Sequence, residues 1–342
     1  MSRARFGMAV LACLLCHAFA GPEHSRAESM DPELSRFRLP PGKGGCPSSG
    51  GFCANNEAFE RLVSDLAVGV APAVGSGAAS LGVRGFSLRL TSSVTPISGR
   101  HWVLGSAGSN AASESFNPSP AGSLVWNRIE VHKGLPFGLE VGGSLGHGLD
   151  TSLWTFSGEL RVALFEGFRS GLGALPDVAV RGAYQGMVGS REMSLQTIAF
   201  DVTLSKPYLV AGRHQLTPLI AMQALFANAK TQPIDLTPDV SAFDDCAPQL
   251  TAGGTRAIEP GRSCSSTGNS RDLDNTVRFA NVHQTRIRLF FGLEERYGPF
   301  AGAVTFGFDL VVPERSADTT DDGIDDPLAS SLTLHFALGL RY

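Results

Sequence analysis

The sequence predicts an all-β fold: a transmembrane, antiparallel, up-and-down β-barrel of about ten strands, within a range of about 8–12, preceded by a short helix. The first observation is a series of segments in which apolar and polar residues alternate, as they do in half-buried strands. The second is the spacing of these segments, because short and long links follow one another along the chain. The third is composition. Charged residues make up 18% of the 342 residues, against about 25% in a typical soluble domain, and glycine is abundant at 40 residues.

Residues 1–20 have the pattern of a secretory signal peptide. Two arginines precede an apolar run over residues 6–16, and small residues follow at Ala18 and Ala20. We therefore expect cleavage after Ala20 and export of the mature chain. No run of about 18 apolar residues follows the signal, so the mature chain would cross a membrane as strands or not at all.

The mature chain is predicted to begin with a tail and a helix. Residues 21–55 are rich in proline, glycine and charge and show no apolar period, which predicts a flexible tail. Residues 56–81 are predicted to form a short helix and a linker, because Asn55 or Asn56 can cap a helix there. The apolar face of this helix consists of Phe59, Leu62, Val63 and Leu66. A packed leader helix is the favoured interpretation, and a helix that plugs the barrel mouth or lies in the membrane interface is the alternative.

Four cysteines remain once the signal peptide is removed: Cys46, Cys53, Cys246 and Cys264. In an exported protein, two close pairs of cysteines indicate two local disulfides. A zinc site built from the four thiolates is the alternative. The glycine, proline and serine around each pair favour the disulfides.

Residues 82–342 are predicted to form the barrel. The ten alternating segments lie within residues 86–91, 128–132, 139–145, 154–164, 178–185, 197–204, 216–228, 284–291, 304–310 and 331–342. Counted back from the last segment, the long links 96–122, 229–275 and 313–329 all fall on one side, and no link on the other side exceeds about a dozen residues. A membrane barrel sorts its connections in this way, whereas a soluble sandwich has no reason to do so.

The last segment, residues 331–342, alternates without interruption and ends on an aromatic residue. Its apolar face includes Phe336, Leu338, Leu340 and Tyr342. This strand resembles the C-terminal signature of bacterial outer-membrane β-barrel proteins, which the barrel assembly machinery recognises. The resemblance implies a place in the outer membrane, contact with its lipid and lipopolysaccharide, and a C-terminus and flexible tail on the periplasmic side. An amphipathic edge strand of a soluble periplasmic β-sandwich is the alternative.

The polar faces of the predicted strands collect charges of both signs, which would line the lumen. These lumen-lining residues are Arg89, Arg128, Glu130, Glu140, Glu159, Arg161, Arg181, Asp201, Arg286, Arg288, Asp309 and Arg341. The excess of arginine suits an anion-selective channel. The favoured alternative is an interior filled by paired charges, because a ten-stranded bore is narrow and an unpaired charge there is costly.

One acidic loop, residues 318–326, is similar to a calcium-binding turn. It departs from that pattern because Thr320 and Ala329 stand where acidic ligands are needed. A solvated acidic loop is therefore the favoured interpretation.

An enzyme on this fold would place a base and an orienting acid at the outer rim, as in omptin-like proteases or outer-membrane phospholipases. The candidates are His147, Asp150, Asp274 and His283. No local motif of either family is present, and scattered histidine and aspartate are expected in loops.

The predicted function is that of a non-enzymatic outer-membrane barrel, which passes or binds small solutes or acts as a structural surface protein. The alternatives are a hydrolase at the rim and a soluble periplasmic binding module. The sequence predicts no catalytic residue, no cofactor and no metal site. Its net charge of −4 provides no basic footprint for a nucleic acid, and the oligomeric state is left open.

Overall fold

The computed structural model describes residues 28–48, 52–97, 100–107, 117, 119–165, 175–210, 212, 214–238, 250–251, 254–255, 276–312 and 331–342. Ten long strands form its main sheet. They are Phe86–Pro96 (β1), Ser123–Gly134 (β2), Leu139–Gly148 (β3), Trp154–Phe165 (β4), Asp177–Val188 (β5), Met193–Ser205 (β6), His214–Thr231 (β7), Val282–Tyr297 (β8), Phe300–Val311 (β9) and Leu332–Arg341 (β10).

The sheet closes into a barrel. Each strand pairs antiparallel with its neighbours in sequence, and β10 pairs with β1 to complete the ring. The closing ladder ends where Tyr342 and Phe86 exchange two main-chain hydrogen bonds of 2.9 Å. The predicted fold class and the predicted number of ten strands are both confirmed.

Shorter elements accompany the barrel. The short strand Tyr208–Val210 pairs with the start of β7, and Ile234–Asp235 pairs with Thr276–Val277. Two further pairs of two-residue strands join Arg38–Leu39 to Cys53–Ala54 and Leu250–Thr251 to Gly254–Thr255. The 3-10 helices are Leu34–Arg36 and Pro136–Gly138, the second of which forms the turn between β2 and β3.

The two ends of the barrel differ. At the terminal end, where β1 begins and β10 ends, the chain turns through residues 135–138 and 298–299, and the short strand Tyr208–Val210 lies between β6 and β7. At the opposite end, which we name the cap end, the connections include the long links 97–122 and 232–281. This sorting of short and long links agrees with the pattern predicted from the sequence.

The predicted N-terminal helix is present as Asn56–Val70 (α1) and lies within the cap end. Asn55 caps it by accepting a hydrogen bond from the main-chain nitrogen of Ala58 at 3.0 Å. Its apolar side chains are fully buried in a cluster with Leu124 and Trp126 of β2 and with Leu195 of β6. The main apolar core therefore sits at one end of the barrel, where the helix fills the mouth.

A second helix, Arg100–Gly105 (α2), was not predicted from the sequence. It lies in the link after β1 and packs on α1. Asp65 of α1 accepts hydrogen bonds from Trp102 Nε1 at 2.7 Å and from His101 Nε2 at 2.9 Å. One partly buried carboxylate thus holds a helix that is too short to show an apolar period.

The predicted flexible tail over residues 21–55 is wrong for its described part. Met30, Leu34 and Phe37 are buried, because they add to the apolar cluster around α1. The main-chain nitrogen of Met30 donates to Asp150 between β3 and β4, at the cap end. We name residues 28–48 the cap. It lies at the end opposite to the C-terminus, so the cap and the C-terminus do not share one side of the barrel, as a periplasmic tail and a periplasmic C-terminus would require.

The Cys46–Cys53 disulfide is present and links the cap to the residues that precede α1. The other predicted pair, Cys246 and Cys264, lies outside the described residues, as do the signal peptide of residues 1–20 and the acidic loop of residues 318–326.

The outer face of the barrel is apolar over most of its height. Along each strand, side chains point alternately into and out of the barrel. Outward residues such as Leu160, Phe200 and Met222 are more than half exposed despite their size. Polar residues, among them Asn127 and Lys230, replace them towards the cap end. The barrel thus carries an apolar band that nothing in the described structure covers.

Candidate functional site in the lumen

All twelve predicted lumen-lining residues lie on the inner face of the barrel. Their side chains are buried or nearly so, with the most accessible, Glu159, only 13% exposed. Most of them form ion pairs across neighbouring strands. The pairs are Arg89 with Glu130, Arg161 with Glu140, Arg181 with both Glu159 and Asp201, and Arg286 and Arg288 with Asp309.

Arg181 is central to this network. Its guanidinium lies 2.9 Å from Glu159 and 2.8 Å from Asp201, so one cation joins β4, β5 and β6. Glu159 also contacts His132 of β2 at 2.9 Å. Charges that are buried in this way are stable only when they are paired and hydrogen-bonded. The geometry matches the interior of paired charges rather than an arginine-lined channel.

The chain itself occupies the lumen. After α1 ends, residues 71–81, which we name the lumen segment, run from the cap end to the terminal end before β1 begins. Val74 packs against Ala221 and Phe290 on the inner wall, and Gly75 lies beside Ala337 of β10. The segment consists almost entirely of alanine, glycine, serine and proline. Such small side chains fit an extended chain into a narrow bore.

Inward side chains bind the lumen segment and the end of α1 through main-chain oxygens. Arg128 donates to Gly69 and Ala71 at 3.0 Å each, and Arg181 donates to Ala73 at 2.8 Å. The remaining contacts join Gln185 to Val70, Gln223 to Pro72, Thr305 to Val74, Arg89 to Gly75, Arg161 to Gly77, and Arg341 to Ala79 and Ser80. The inner wall therefore donates hydrogen bonds to successive main-chain oxygens that have no partner in a sheet or a helix.

Carboxylates and a hydroxyl bind the main-chain nitrogens of the same segment. Gly77 donates to Glu294 Oε2 at 2.7 Å, and Ala78 donates to Ser205 Oγ at 2.7 Å. Leu81 donates to Glu140 near the terminal end. Arginines that donate to main-chain oxygens and carboxylates that accept from main-chain nitrogens form one network of hydrogen bonds. This network holds the segment by its backbone along its whole length.

Little free space remains around the segment. Two cavities along it have volumes of about 20 Å³ and about 10 Å³. Each is close to the smallest cavity that holds one water molecule. At Gly77, an added Cβ would lie 2.9 Å from Thr217 and 3.2 Å from Ser205. The described part of the lumen is filled by side chains and by the segment.

The predicted set of lumen-lining residues omitted several contributors to this site, and three of them left a signal in the sequence. Glu294 binds Gly77 and lies 3.2 Å from Arg341, and it shares the inward parity of Arg286 and Arg288 on β8. His132 falls on the inward face of β2 in the same way. The lumen segment left only a compositional signal, namely a run of small residues without a charge between a helix and the first strand.

The predicted rim candidates are not brought together. His147 points outward from β3 and packs on Trp154, with ring centroids 4.5 Å apart. His283 points outward from β8 and contacts Asn228 at 2.5 Å. Asp150 lies in a turn with φ of 57°, and Asp274 lies outside the described residues. No base and acid pair forms among the candidates that the structure describes.

The cap is attached partly through a perturbed carboxyl group. Glu192, in the link between β5 and β6, accepts a hydrogen bond from the main-chain nitrogen of Leu34 at 2.6 Å. Burial, aided by the neighbouring charge of Glu33, raises the pKa of Glu192 to about 7, although the Leu34 hydrogen bond and Arg36 act in the other direction. A contact between cap and barrel thus titrates near neutral pH.

Among the described residues, no group of three or more histidine, cysteine, aspartate or glutamate side chains is placed to hold a metal ion. No helix in the described part of the chain is long and apolar enough to span a membrane.

No protein-family model and no curated protein matches the chain. Several solved structures are similar to the chain. The N-terminal β-barrel domain of OprF from Pseudomonas aeruginosa is 8% identical over 76% of this chain and 99% of that one, with a TM-score of 0.29. The translocator domain of the autotransporter NalP from Neisseria meningitidis is 8% identical over 84% and 95%, with a TM-score of 0.32. The outer membrane protease OmpT from Escherichia coli is 7% identical over 80% and 99%, with a TM-score of 0.29. Sequence identities and TM-scores this low do not establish a relationship, and the barrel architecture is defined by the strand pairing of this chain itself.

Proposed function

We propose that this chain is a non-enzymatic outer-membrane barrel, sealed by its own N-terminal segment, that acts as a structural surface protein. The observation that carries the proposal is the lumen segment, which crosses the bore and is bound along its main chain by the inner wall. A solute that passed through the barrel would have to displace this segment and break the hydrogen bonds between its buried carbonyls and the arginines of the wall. Each charged hydrogen bond lost in this way costs about 1.5–3 kcal/mol.

The membrane location is supported by the outer face and by the terminal end. The apolar band described above has the form of a lipid-facing surface. At the terminal end, large apolar side chains also project from the turns, with Phe137 93% exposed and Leu209 73% exposed. Water would oppose such exposure, whereas a membrane interface favours apolar and aromatic side chains.

The orientation follows from the connections. Outer-membrane barrels keep their short turns on the periplasmic side and their long loops outside. By this rule the cap end faces outwards, and the cap, with its Cys46–Cys53 disulfide, is presented at the cell surface. A structural surface role fits this arrangement better than passage of solutes.

Conductance of purified protein in planar bilayers tests the seal. We expect the wild-type chain, expressed from residue 21 onwards, to show no steady conductance. A variant that lacks residues 21–81 loses the cap, α1 and the lumen segment, and should conduct. A matched variant that lacks only residues 21–48 keeps the segment and should stay closed. Steady conductance of the wild-type chain would overturn the proposal.

An epitope tag in the exposed cap loop tests the orientation without removing the segment. Pro41 and Gly42 are exposed, so a tag between them should leave the fold intact. We expect antibody to bind the tag on intact cells. A matched tag between Val83 and Arg84, which are exposed at the terminal end, should bind antibody only after the outer membrane is opened. The reverse pattern would place the cap in the periplasm.

A further inference from the structure

The outer face of the barrel carries a groove of about 710 Å³ between β8, β9 and β10, close to the terminal end. Its apolar walls are Leu293, Tyr297, Phe300, Val304, Phe336 and Leu338. These side chains point away from the lumen, and Leu338 is 71% exposed. The volume lies within the range of sites that bind small molecules.

The groove exists because Gly302 forms its floor. Gly302 pairs with Glu295 on one side and with Leu338 on the other. Where neighbouring outward positions carry large side chains, this position leaves bare backbone between two walls. A Cβ at residue 302 would lie 3.3 Å from Leu338 Cδ2, so any larger side chain would enter the groove.

One charged group stands at the groove. Glu295 is the only acidic or basic residue among those that line the groove. Its side chain is 54% exposed, and Oε1 lies 2.8 Å from Nδ1 of His214. Glu295 is two residues from the end of β8, which places it roughly 7 Å from the strand end at about 3.3 Å per residue. In a bilayer this is the level at which hydrocarbon meets headgroups.

We infer that this groove binds an acyl chain of a phospholipid whose headgroup carries a primary ammonium, with the ammonium at Glu295. The inference rests on the membrane location proposed above. A carboxylate beside an apolar groove disfavours an anionic headgroup and attracts a cationic one. A primary ammonium donates three hydrogen bonds, whereas a quaternary ammonium donates none, so the carboxylate and the imidazole of His214 distinguish the two. A twofold dimer through this face would bring a second Glu295 towards the first, and the like charges disfavour that arrangement.

Native mass spectrometry of the detergent-solubilised full chain tests the inference. The protein is equilibrated with an equal mixture of phosphatidylethanolamine, phosphatidylcholine and phosphatidylglycerol that have identical acyl chains. We expect one retained lipid and a preference for the ethanolamine lipid over the choline lipid of roughly fivefold, the upper range for a partly exposed ion pair.

Two variants distinguish binding of the lipid's acyl chain from recognition of its headgroup. Gly302→Leu fills the groove and should abolish retention of every lipid. Glu295→Gln should keep the retained lipid but lose the fivefold preference. The matched control is Gly158→Leu, since Gly158 is an outward glycine of β4 with no atom within 4 Å of its added Cβ. This control should behave as the wild type does.

The outcomes are decisive in both directions. Unchanged retention in Gly302→Leu, unchanged preference in Glu295→Gln, or a dimer in place of the retained lipid would overturn the inference. Heat-modifiable migration on gels reports folding of each variant separately. A wild-type chain that fails to insert into bilayers would refute the membrane location itself. A chain that inserts but retains no lipid would refute only the groove.

Discussion

Nη1 of Arg181 lies 2.8 Å from the main-chain oxygen of Ala73, so the barrel wall binds the segment that fills it through the same guanidinium that joins three strands. The ion pairs of Arg181 and its contact with the segment therefore cannot be separated. The wall therefore satisfies the main-chain oxygens of the lumen segment, and the segment takes the place of water at the arginines of the wall. Without the segment, water would have to fill the bore and hydrate these side chains.

Replacing Arg181 with methionine should strongly destabilise the barrel. The change leaves Glu159 and Asp201 buried without their shared cation and leaves the oxygen of Ala73 without a donor. Breaking a buried ion pair by removing one partner costs about 3–5 kcal/mol of unfolding free energy. Urea-dependent folding into lipid vesicles, followed by heat-modifiable migration, measures the loss.

The control for this prediction is Arg84→Met, because Arg84 is exposed at the terminal end. It should change the unfolding free energy by no more than about 0.5 kcal/mol. Adding Glu159→Gln to Arg181→Met should cost less than the sum of the two single changes, since both remove one network. Additive losses would show that Arg181 and Glu159 act independently.

Replacing Gly77 with valine should loosen the seal. Its Cβ would lie 2.9 Å from Thr217 Cγ2 and 3.2 Å from Ser205 Oγ, so the segment or the wall must move. Overpacking of this kind costs about 1–3 kcal/mol. We expect reduced folding stability and the appearance of intermittent conductance in planar bilayers.

Two controls test whether the seal depends on the small size of residue 77 or on the sequence of side chains along the lumen segment. Gly158→Val adds the same side chain on the outer face, where an added Cβ meets nothing within 4 Å, and should stay closed and stable. The pair Ala73→Ser and Ser76→Ala keeps the main-chain contacts of the segment and removes only a 3.4 Å hydrogen bond from Arg161 to Ser76 Oγ, so it should also remain sealed. If this exchange opens the barrel as Gly77→Val does, the wall recognises side chains rather than the main chain.

The barrel was predictable because its signals are local. Alternation places Arg128, Arg181 and Asp309 on one face whatever their partners are, and the closing strand shows the same period up to Tyr342. The number and order of strands follow from such segments alone, since each pairs with its neighbour in sequence.

The contents of the lumen were not predictable in the same way. Residues 71–81 have no period and no regular hydrogen bonding of their own, so their position depends on contacts with distant strands, such as Gly77 with Glu294. The cap presents a similar case. Met30 and Leu34 are isolated apolar residues in a polar stretch, and only the barrel mouth buries them. Both segments have a composition that is typical of disorder, but both are ordered because they pack against another part of the chain.

Attachment of the cap should weaken as pH rises through neutrality. The pKa of Glu192 is raised by burial from 4.5 to about 7 in the folded chain. Its stabilising contribution is therefore fully present below pH 4.5, declines as pH rises, and is lost above about pH 7. Hydrogen exchange of the cap amides, corrected for the intrinsic pH dependence of exchange, should show faster opening at about pH 8 than at about pH 5.

The matched variant for this test is Glu192→Gln. The amide keeps an oxygen that can accept from Leu34 N but does not titrate, so protection of the cap should become independent of pH. Protection of the barrel strands should be unchanged in both proteins. A pH dependence that persists in Glu192→Gln would assign the effect to another group.

The last strand should limit assembly of the whole barrel. Deleting Tyr342 removes both of its main-chain hydrogen bonds to Phe86, which end the seam between β10 and β1. Replacing Phe336 with arginine places a charge on the outward face in mid-strand, at a cost of about 2–4 kcal/mol in the middle of a bilayer. Both changes should reduce the amount of folded, heat-modifiable protein in outer-membrane fractions, with export unaffected.

Thr333→Ser is the matched inward change on the same strand. Thr333 is fully buried, and its hydroxyl accepts a hydrogen bond from Arg288 at 2.7 Å, which serine retains. The loss of one methyl group should therefore leave assembly close to that of the parent. Among the ten long strands of the described sheet, the seam is the only junction between strands that are not consecutive, and no other pairing can close the ring in its place. Equal amounts of folded protein from the Tyr342 deletion and the parent would show that the seam closes without its terminal residue.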